Sequence, residues 1–310
     1  PKVLNLNLVG QRHSLWGNRL WNAARYLADT FDNASFEMSG KTTLELGSGA
    51  GLPSLICALR GAESVVITDY ASTVDTALVD NIQKNIDMLG PYFPEGTSVH
   101  AQGLIWGYPP EPILNCLEPS GERKFDLIIL AGGRINSFRA PGQMGRGILD
   151  PTKAAQSSYE LSFFATSMVR DAILGDEPLD VPGHRGAEQA EAGAEAEAAG
   201  PGGLQGHVVD VCVALYLLFN HSEHTKLLET CDACLSDNGV IWVTYGHHVP
   251  QKAHKDMKFF ELAVAEPFNF ISEKIDEQQW RDIIEEHDGL DQARGVVYTY
   301  HLRRRKNNDS

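Results

Sequence analysis

TTLELGSGAGLPSL, residues Thr42 to Leu55, joins a short apolar strand to a helix through three alternating glycines. Thr42–Leu46 has the length of a buried strand, and Pro53 suits the first turn of a helix. A glycine turn at such a junction offers backbone N–H groups to a ligand, so the nature of that ligand decides the reading. A triphosphate-binding loop needs Lys-Ser or Lys-Thr after its last glycine, and here Leu52-Pro53 follows Gly51. A dinucleotide fingerprint needs G-x-G-x-x-G. Gly47 and Gly49 fill its first two places, but Leu52 stands in the third and Gly51 comes one residue early.

What remains is Glu45-x-Gly47-x-Gly49-x-Gly51, the acid-plus-alternate-glycine loop of class I methyltransferases that use S-adenosylmethionine. The methionine part of that donor carries a carboxylate that suits a helix N-terminus, and bare glycine backbone lets its body lie close. Glu45 can pin the loop from behind. Such a site also needs an acid at the end of the next strand to accept ribose hydroxyls. Asp69 in VVITDY stands there, 22 residues after Gly47. It would equally serve a nicotinamide cofactor, and a local alternative is that it caps the following helix. Trp106, in GLIWG, stands where an aromatic ring can lie against the adenine, and Trp21 could close the pocket from the other side. Both indoles suit an apolar core as well.

Outward from this centre, strands and helices alternate. LWGNRLWNAARYLADTF places Leu20, Ala23, Ala24, Leu27 and Phe31 on one helical face. Ser64–Asp69 reads as a second strand, Thr73–Leu89 as a helix, SVHAQGLI as a third strand and Phe125–Ala131 as a fourth. Later come a helix over Ser222–Leu235, a fifth strand over Gly239–Gly246 and a helix over Lys255–Ala265. The strand FISEKID, a helix in EQQWRDIIEEH and the strand GVVYTYHLRR complete the series. This alternation predicts an α/β, Rossmann-like, seven-stranded and mostly parallel sheet with helices on both faces and an antiparallel last strand.

The expected organisation is a single class I methyltransferase domain over residues 1–310, interrupted at about 132–217. The interruption contains AEQAEAGAEAEAAGPGGLQG, too poor in apolar residues to order itself, and SSYELSFFATSMVRDAIL, which reads as a short helix. A structureless segment this long is unusual inside a compact domain. It is either a surface insertion or sequence foreign to the mature fold, such as a translated intron. Across all 310 residues the formal charge is −15, which disfavours free nucleic acid as a partner. No run approaches a membrane span, and the opening PKVLNLNLVGQRHS lacks a signal-peptide core. Five cysteines form no disulfide framework and suit a reducing, cytoplasmic setting. Cys231 and Cys234 form a C-x-x-C without a second pair, so no metal site is expected. HLRRRK at the end reads as a solvated basic tail.

LWGNRLWNAARYLAD, LELGSGAGLPS, VVITDY, GLIWG and LLFNHSEHTKLLETC, in this order, resemble the fungal protein N-terminal and lysine methyltransferases. These belong to the seven-β-strand methyltransferases, once labelled nicotinamide N-methyltransferase-like, and act on translation elongation factor one-alpha. The resemblance implies S-adenosylmethionine as cofactor, elongation factor one-alpha as protein partner and a cytoplasmic monomer without membrane or nucleic-acid contacts. It assigns donor contacts to Trp21, Gly47, Ser48, Gly49, Asp69 and Trp106, and adds Ala131 at the end of strand four. Asn220 and His221 begin the helix after the interruption, where Asn suits an N-cap. His247, ending strand five, lies beside the expected acceptor site. Asn220, His221 and His247 are therefore the substrate-contact candidates.

Two departures from the family pattern stand out. Its strand four continues as Ser-Asp-Leu-(Leu/Val)-Phe-Asn-His, whereas here AGGRINS follows and the matching LLFNHSEH waits until Leu217. The acid expected near the reacting centre is missing, Gly132 and Tyr216 standing in its place, and Val249 replaces an expected arginine. No catalytic residue is assigned. Methyl transfer needs a neutral amine: about one lysine in a thousand is neutral at pH 7.4, against roughly a quarter of α-amines. The leading expectation is methylation of the N-terminal glycine α-amine and adjacent lysine of elongation factor one-alpha. The alternatives are a small-molecule, nicotinamide-type N-methyltransferase, and a donor-binding protein inactivated by the insertion.

Overall fold

The computed structural model describes residues 2–10, 20–33, 35–73, 75–118, 121–132, 158–163, 218, 220–247, 250–279 and 296–306. Its centre is a seven-stranded sheet. The strands are β2 (Thr42–Leu46), β3 (Ser64–Asp69), β4 (Ser98–Gly103), β5 (Phe125–Gly132), β7 (Leu235–Tyr245), β8 (Phe270–Gln279) and β9 (Val296–Arg304), in the order β4-β3-β2-β5-β7-β9-β8. Only β9 runs against its neighbours, pairing antiparallel with both β7 and β8. The expected fold class is therefore the observed one, including the reversed last strand.

Burial explains why the parallel strands were legible. Every residue of β2 and β3 is buried, so each reads as an unbroken run bounded by turn residues. On one face lie α1 (Asn22–Asp32), α2 (Leu52–Leu59) and α3 (Ala77–Leu89), whose apolar sides share a cluster with Leu127, Ile129 and Ala131. The anticipated stripe of α1 is in place: Ala23, Ala24, Leu27 and Phe31 are buried, and Phe31 meets the edge of Trp242. On the other face α4 (Glu111–Leu114), α5 (His224–Cys234), α6 (Ala253–Asp256) and α7 (Lys258–Val264) are arranged. Leu227, Leu228, Phe259 and Phe260 pack there with Leu44, Leu130 and Val243. No described helix is long and apolar enough to cross a membrane.

Several local expectations are corrected. The helix anticipated in SSYELSFFATSMVRDAIL is contradicted over Ser158–Phe163, which forms strand β6 antiparallel to β1 (Lys2–Asn7). A strand needs a partner, and this one lies about 150 residues away in the chain, beyond any local periodicity. The rest of that run, and the Ala/Glu/Gly stretch, lie outside the described residues. Glu277–Gln279 extend β8 instead of opening a helix, while 280–287 are not described. His301–Arg304 belong to β9, so HLRRRK is not a solvated tail throughout: His301 and Leu302 are buried, and Arg304 donates to the Asp232 carboxylate and carbonyl and to the Leu235 carbonyl. Asn220 does not cap the next helix. Its side chain accepts from the Ser222 hydroxyl, and α5 begins only at His224.

Candidate functional site

The C-terminal ends of β2, β3, β4, β5 and β7 share one edge of the sheet, and the crossovers change face between β2 and β5. Ligands of open α/β sheets bind at that topological switch point. The glycine loop leaves β2 there. Gly47, Gly49 and Gly51 all have left-handed φ, at 66°, 60° and 77°, which L side chains adopt at a cost. The Ser48 N–H donates to the Thr68 carbonyl, and the Gly51 N–H to the Ser48 carbonyl.

Two buried carboxylates set the loop. Glu45 Oε2 accepts the N–H of Ser54 at 3.2 Å, in the first turn of α2, so it pins the loop from behind as expected. Asp69 Oδ2 accepts the Gly49 N–H at 2.6 Å, and Oδ1 accepts that of Tyr70 at 2.6 Å. Asp69 thus serves the glycine loop and its own chain, and α3 starts later, after Thr76, without it. Burial pushes the Glu45 carboxyl up to about 8, the hydrogen bonds with Ser54 opposing it and the nearby Asp69 charge adding to it. Burial likewise pushes Asp69 up to about 7, against its two N–H donors.

The residues fit a donor of the expected kind. A Cβ added at Gly49 would meet nothing within 4 Å among the described residues, which leave open space over the loop at that point. The hydroxyl of Ser48 and Oε1 of Glu45 are buried without a partner among the described residues. A polar ligand at the loop would find the Ser48 hydroxyl available.

The other anticipated contacts are distributed around this centre. Trp21 is half-buried at the N-cap of α1 and packs on the same apolar cluster as Ala131, which is buried near the end of β5. Trp106 follows β4 at the same edge, but its indole is only 6% exposed and packs in the opposite cluster with Leu104, Ile113 and Leu114. Asn220, His221 and His247 lie past β5 and β7. Of these, the two histidines are brought together, His221 Nε2 and His247 Nδ1 each lying 2.8 Å from an oxygen of buried Asp256.

Sequence reasoning missed Asp256, whose partners are 35 and 9 residues away. It also missed Asn85. The Asn85 amide accepts the N–H of Asn7 and donates to the carbonyls of Asn7 and Ala50, while Asn81 donates to Asn7 as well. The readable signal was two asparagines at i, i+4 spacing on the apolar side of α3.

A family model described as lysine methyltransferase matches residues 3–132. The protein N-terminal and lysine N-methyltransferase EFM7 of Debaryomyces hansenii is 30% identical over 305 residues, covering 97% of this chain and 84% of the relative. The efm7 protein of Schizosaccharomyces pombe is 27% identical over 304 residues, covering 97% and 83%. That of Aspergillus fumigatus is 40% identical over 131 residues, covering 42% and 49%. With an acid-pinned glycine loop at the switch point and a relative of this identity aligned over most of both chains, the chain belongs to the family of protein N-terminal and lysine N-methyltransferases.

Proposed function

We propose that this protein uses S-adenosylmethionine to methylate the N-terminal glycine α-amine and the adjacent lysine of translation elongation factor one-alpha, as a cytoplasmic monomer. The observation that carries the donor half is the pairing of Asp69 with Gly49 at the end of β3, beneath the open space of the glycine loop. Each carboxylate oxygen can accept more than one hydrogen bond, so the bonds to Gly49 and Tyr70 leave capacity for ribose hydroxyls. The Ser48 hydroxyl, buried without a partner among the described residues, suits the carboxylate of a methionine moiety. When bound, the donor supplies an activated methyl group on a sulfonium.

The chain's own residues have two tasks. The loop, Asp69 and the indoles of Trp21 and Trp106 hold the donor, and the ends of β5 and β7 present the acceptor amine in line with it. The acceptor half rests on the activity for which the relatives are named and on LLFNHSEH, the segment that begins at Leu217.

The test is calorimetry with S-adenosylhomocysteine, followed by mass spectrometry of elongation factor one-alpha and of nicotinamide after incubation with the donor. Methyl groups on the N-terminal residues of the factor are expected. Methylation of nicotinamide alone would replace this reading with the small-molecule one. Donor binding without transfer to either would leave only a donor-binding protein.

A further inference from the structure

Past the ends of β5 and β7, one buried carboxylate holds two imidazoles. Asp256, with its side chain 2% exposed, uses Oδ1 for His221 Nε2 and Oδ2 for His247 Nδ1, each at 2.8 Å. An ionised carboxylate only accepts, so each neutral ring must place its proton on the nitrogen that faces Asp256. The other nitrogen of each ring, Nδ1 of His221 and Nε2 of His247, then carries a lone pair. Carboxylate-oriented imidazoles are how proteins fix a base in one tautomer. The His221 side chain is 30% exposed and that of His247 14%, so His221 is the more open of the two.

The cluster lies at the same end of the sheet as the glycine loop. Tyr245, two residues before His247, ends β7 opposite Gly132 of β5, and β5 borders β2, which feeds the glycine loop. Two strand spacings, about 10 Å, separate these strand ends. Tyr245 and Tyr298 flank the His247 ring at centroid distances of 5.3 Å.

We propose that Nδ1 of His221 takes the proton from the acceptor ammonium, with Asp256 as the positioning residue and His247 as its second anchored imidazole. This rests on the methyltransferase reading above. The N–H bond of the ammonium breaks with its electron pair left on nitrogen, and the proton forms an N–H bond on His221, whose positive charge faces Asp256. The amine pair then forms the new N–C bond while the C–S pair of the sulfonium stays on sulfur. His221 afterwards releases its proton to water. A lysine depends on this step far more than an α-amine, because about one lysine in a thousand is neutral at pH 7.4 against roughly a quarter of α-amines.

Two measurements test it. In nitrogen NMR of the labelled protein, neutral His247 should carry its proton on Nδ1 and neutral His221 on Nε2, with the His247 pattern lost in Asp256→Asn. The reverse tautomers would overturn the proposal without any reference to activity. For turnover at pH 7.4, two peptides from the N-terminus of the factor are compared, one with its α-amine acetylated and one with its lysine acetylated. His221→Gln should slow lysine transfer by about 100-fold or more and α-amine transfer only several-fold, with S-adenosylhomocysteine affinity unchanged. Equal losses on both peptides would assign His221 a structural role and overturn the proposal. If the parent protein methylates neither peptide, the proposed function fails, and the tautomers still decide whether Asp256 orients the pair.

Discussion

The side-chain amide of Asn85 donates to the carbonyl of Ala50 at 3.0 Å, inside the glycine loop, and the same amide clasps the backbone of Asn7. One buried side chain on α3 therefore ties the first strand to the glycine loop. Replacing it by the apolar Asn85→Leu strands the Ala50 carbonyl and the Asn7 N–H, at about 1–3 kcal/mol each. A lower melting temperature and weaker binding of S-adenosylhomocysteine are expected together. Retained affinity with lowered stability would show that the loop holds its shape without this bond.

Gly49 and Gly51 should separate stability from binding. Gly51→Ala combines a left-handed φ with a Cβ only 2.9 Å from Cγ2 of Ile67, so it should destabilise the fold by about 2–4 kcal/mol. Gly49→Ala has the same backbone penalty, about 1–2 kcal/mol, but open space around it. Its added methyl occupies the volume over the loop and should weaken donor binding more than Gly51→Ala weakens it per unit of lost stability. Thermal melts and calorimetry on both variants check the contrast.

Asp69→Ala should cost both affinity and stability. The ribose hydroxyls lose a charged acceptor worth about 1.5–3 kcal/mol, roughly a 10- to 100-fold loss in affinity. The N–H groups of Gly49 and Tyr70 lose theirs as well. Circular dichroism at a temperature well below the melt should still show the parent fold. Unchanged donor affinity would remove Asp69 from the site.

Glu45 sets a pH dependence with a definite sign. Its carboxyl rises from 4.5 in the unfolded chain to about 8 when folded, so the folded protein binds that proton more tightly. Its contribution is complete below about pH 4.5 and is lost as pH rises through about 8. Asp69, raised to about 7, acts in the same direction. Glu45→Gln removes the Glu45 part, so its melting temperature should gain on the parent between pH 5.5 and pH 8. A constant difference across that range would place the folded value near 4.5.

The sheet was legible because its central strands are buried on both faces: β2 and β3 are short runs of β-branched and apolar residues, buried throughout, that end at Gly47 and Asp69. The start of α3 was set too early because Ser72, Asp75 and Ala77 bond to one another ahead of it. Ser72 and Asp75 exchange hydrogen bonds, and Asp75 accepts from Ala77. The alternation of Leu4, Leu6 and Leu8 with Asn5 and Asn7 carried the period of β1, yet its partner β6 could be found only in three dimensions. The glycine loop and Asp69 announced themselves by spacing. Asp256 could not: a single acid in AHKD reveals neither its burial nor the two histidines it joins.

The reversal of β9 has a practical consequence. Because it runs against β7 and β8, its last residues Arg303 and Arg304 pair beside Val240, midway along β7, and Phe270, the first residue of β8, while Tyr298 pairs beside Tyr245 at the edge that carries the site. Arg305 and Lys306, which follow β9, therefore lie toward the end of the sheet away from the glycine loop and the anchored histidines. A fluorescent label, an affinity handle or a surface tether fused there would leave the opposite side clear for a partner as bulky as a folded protein.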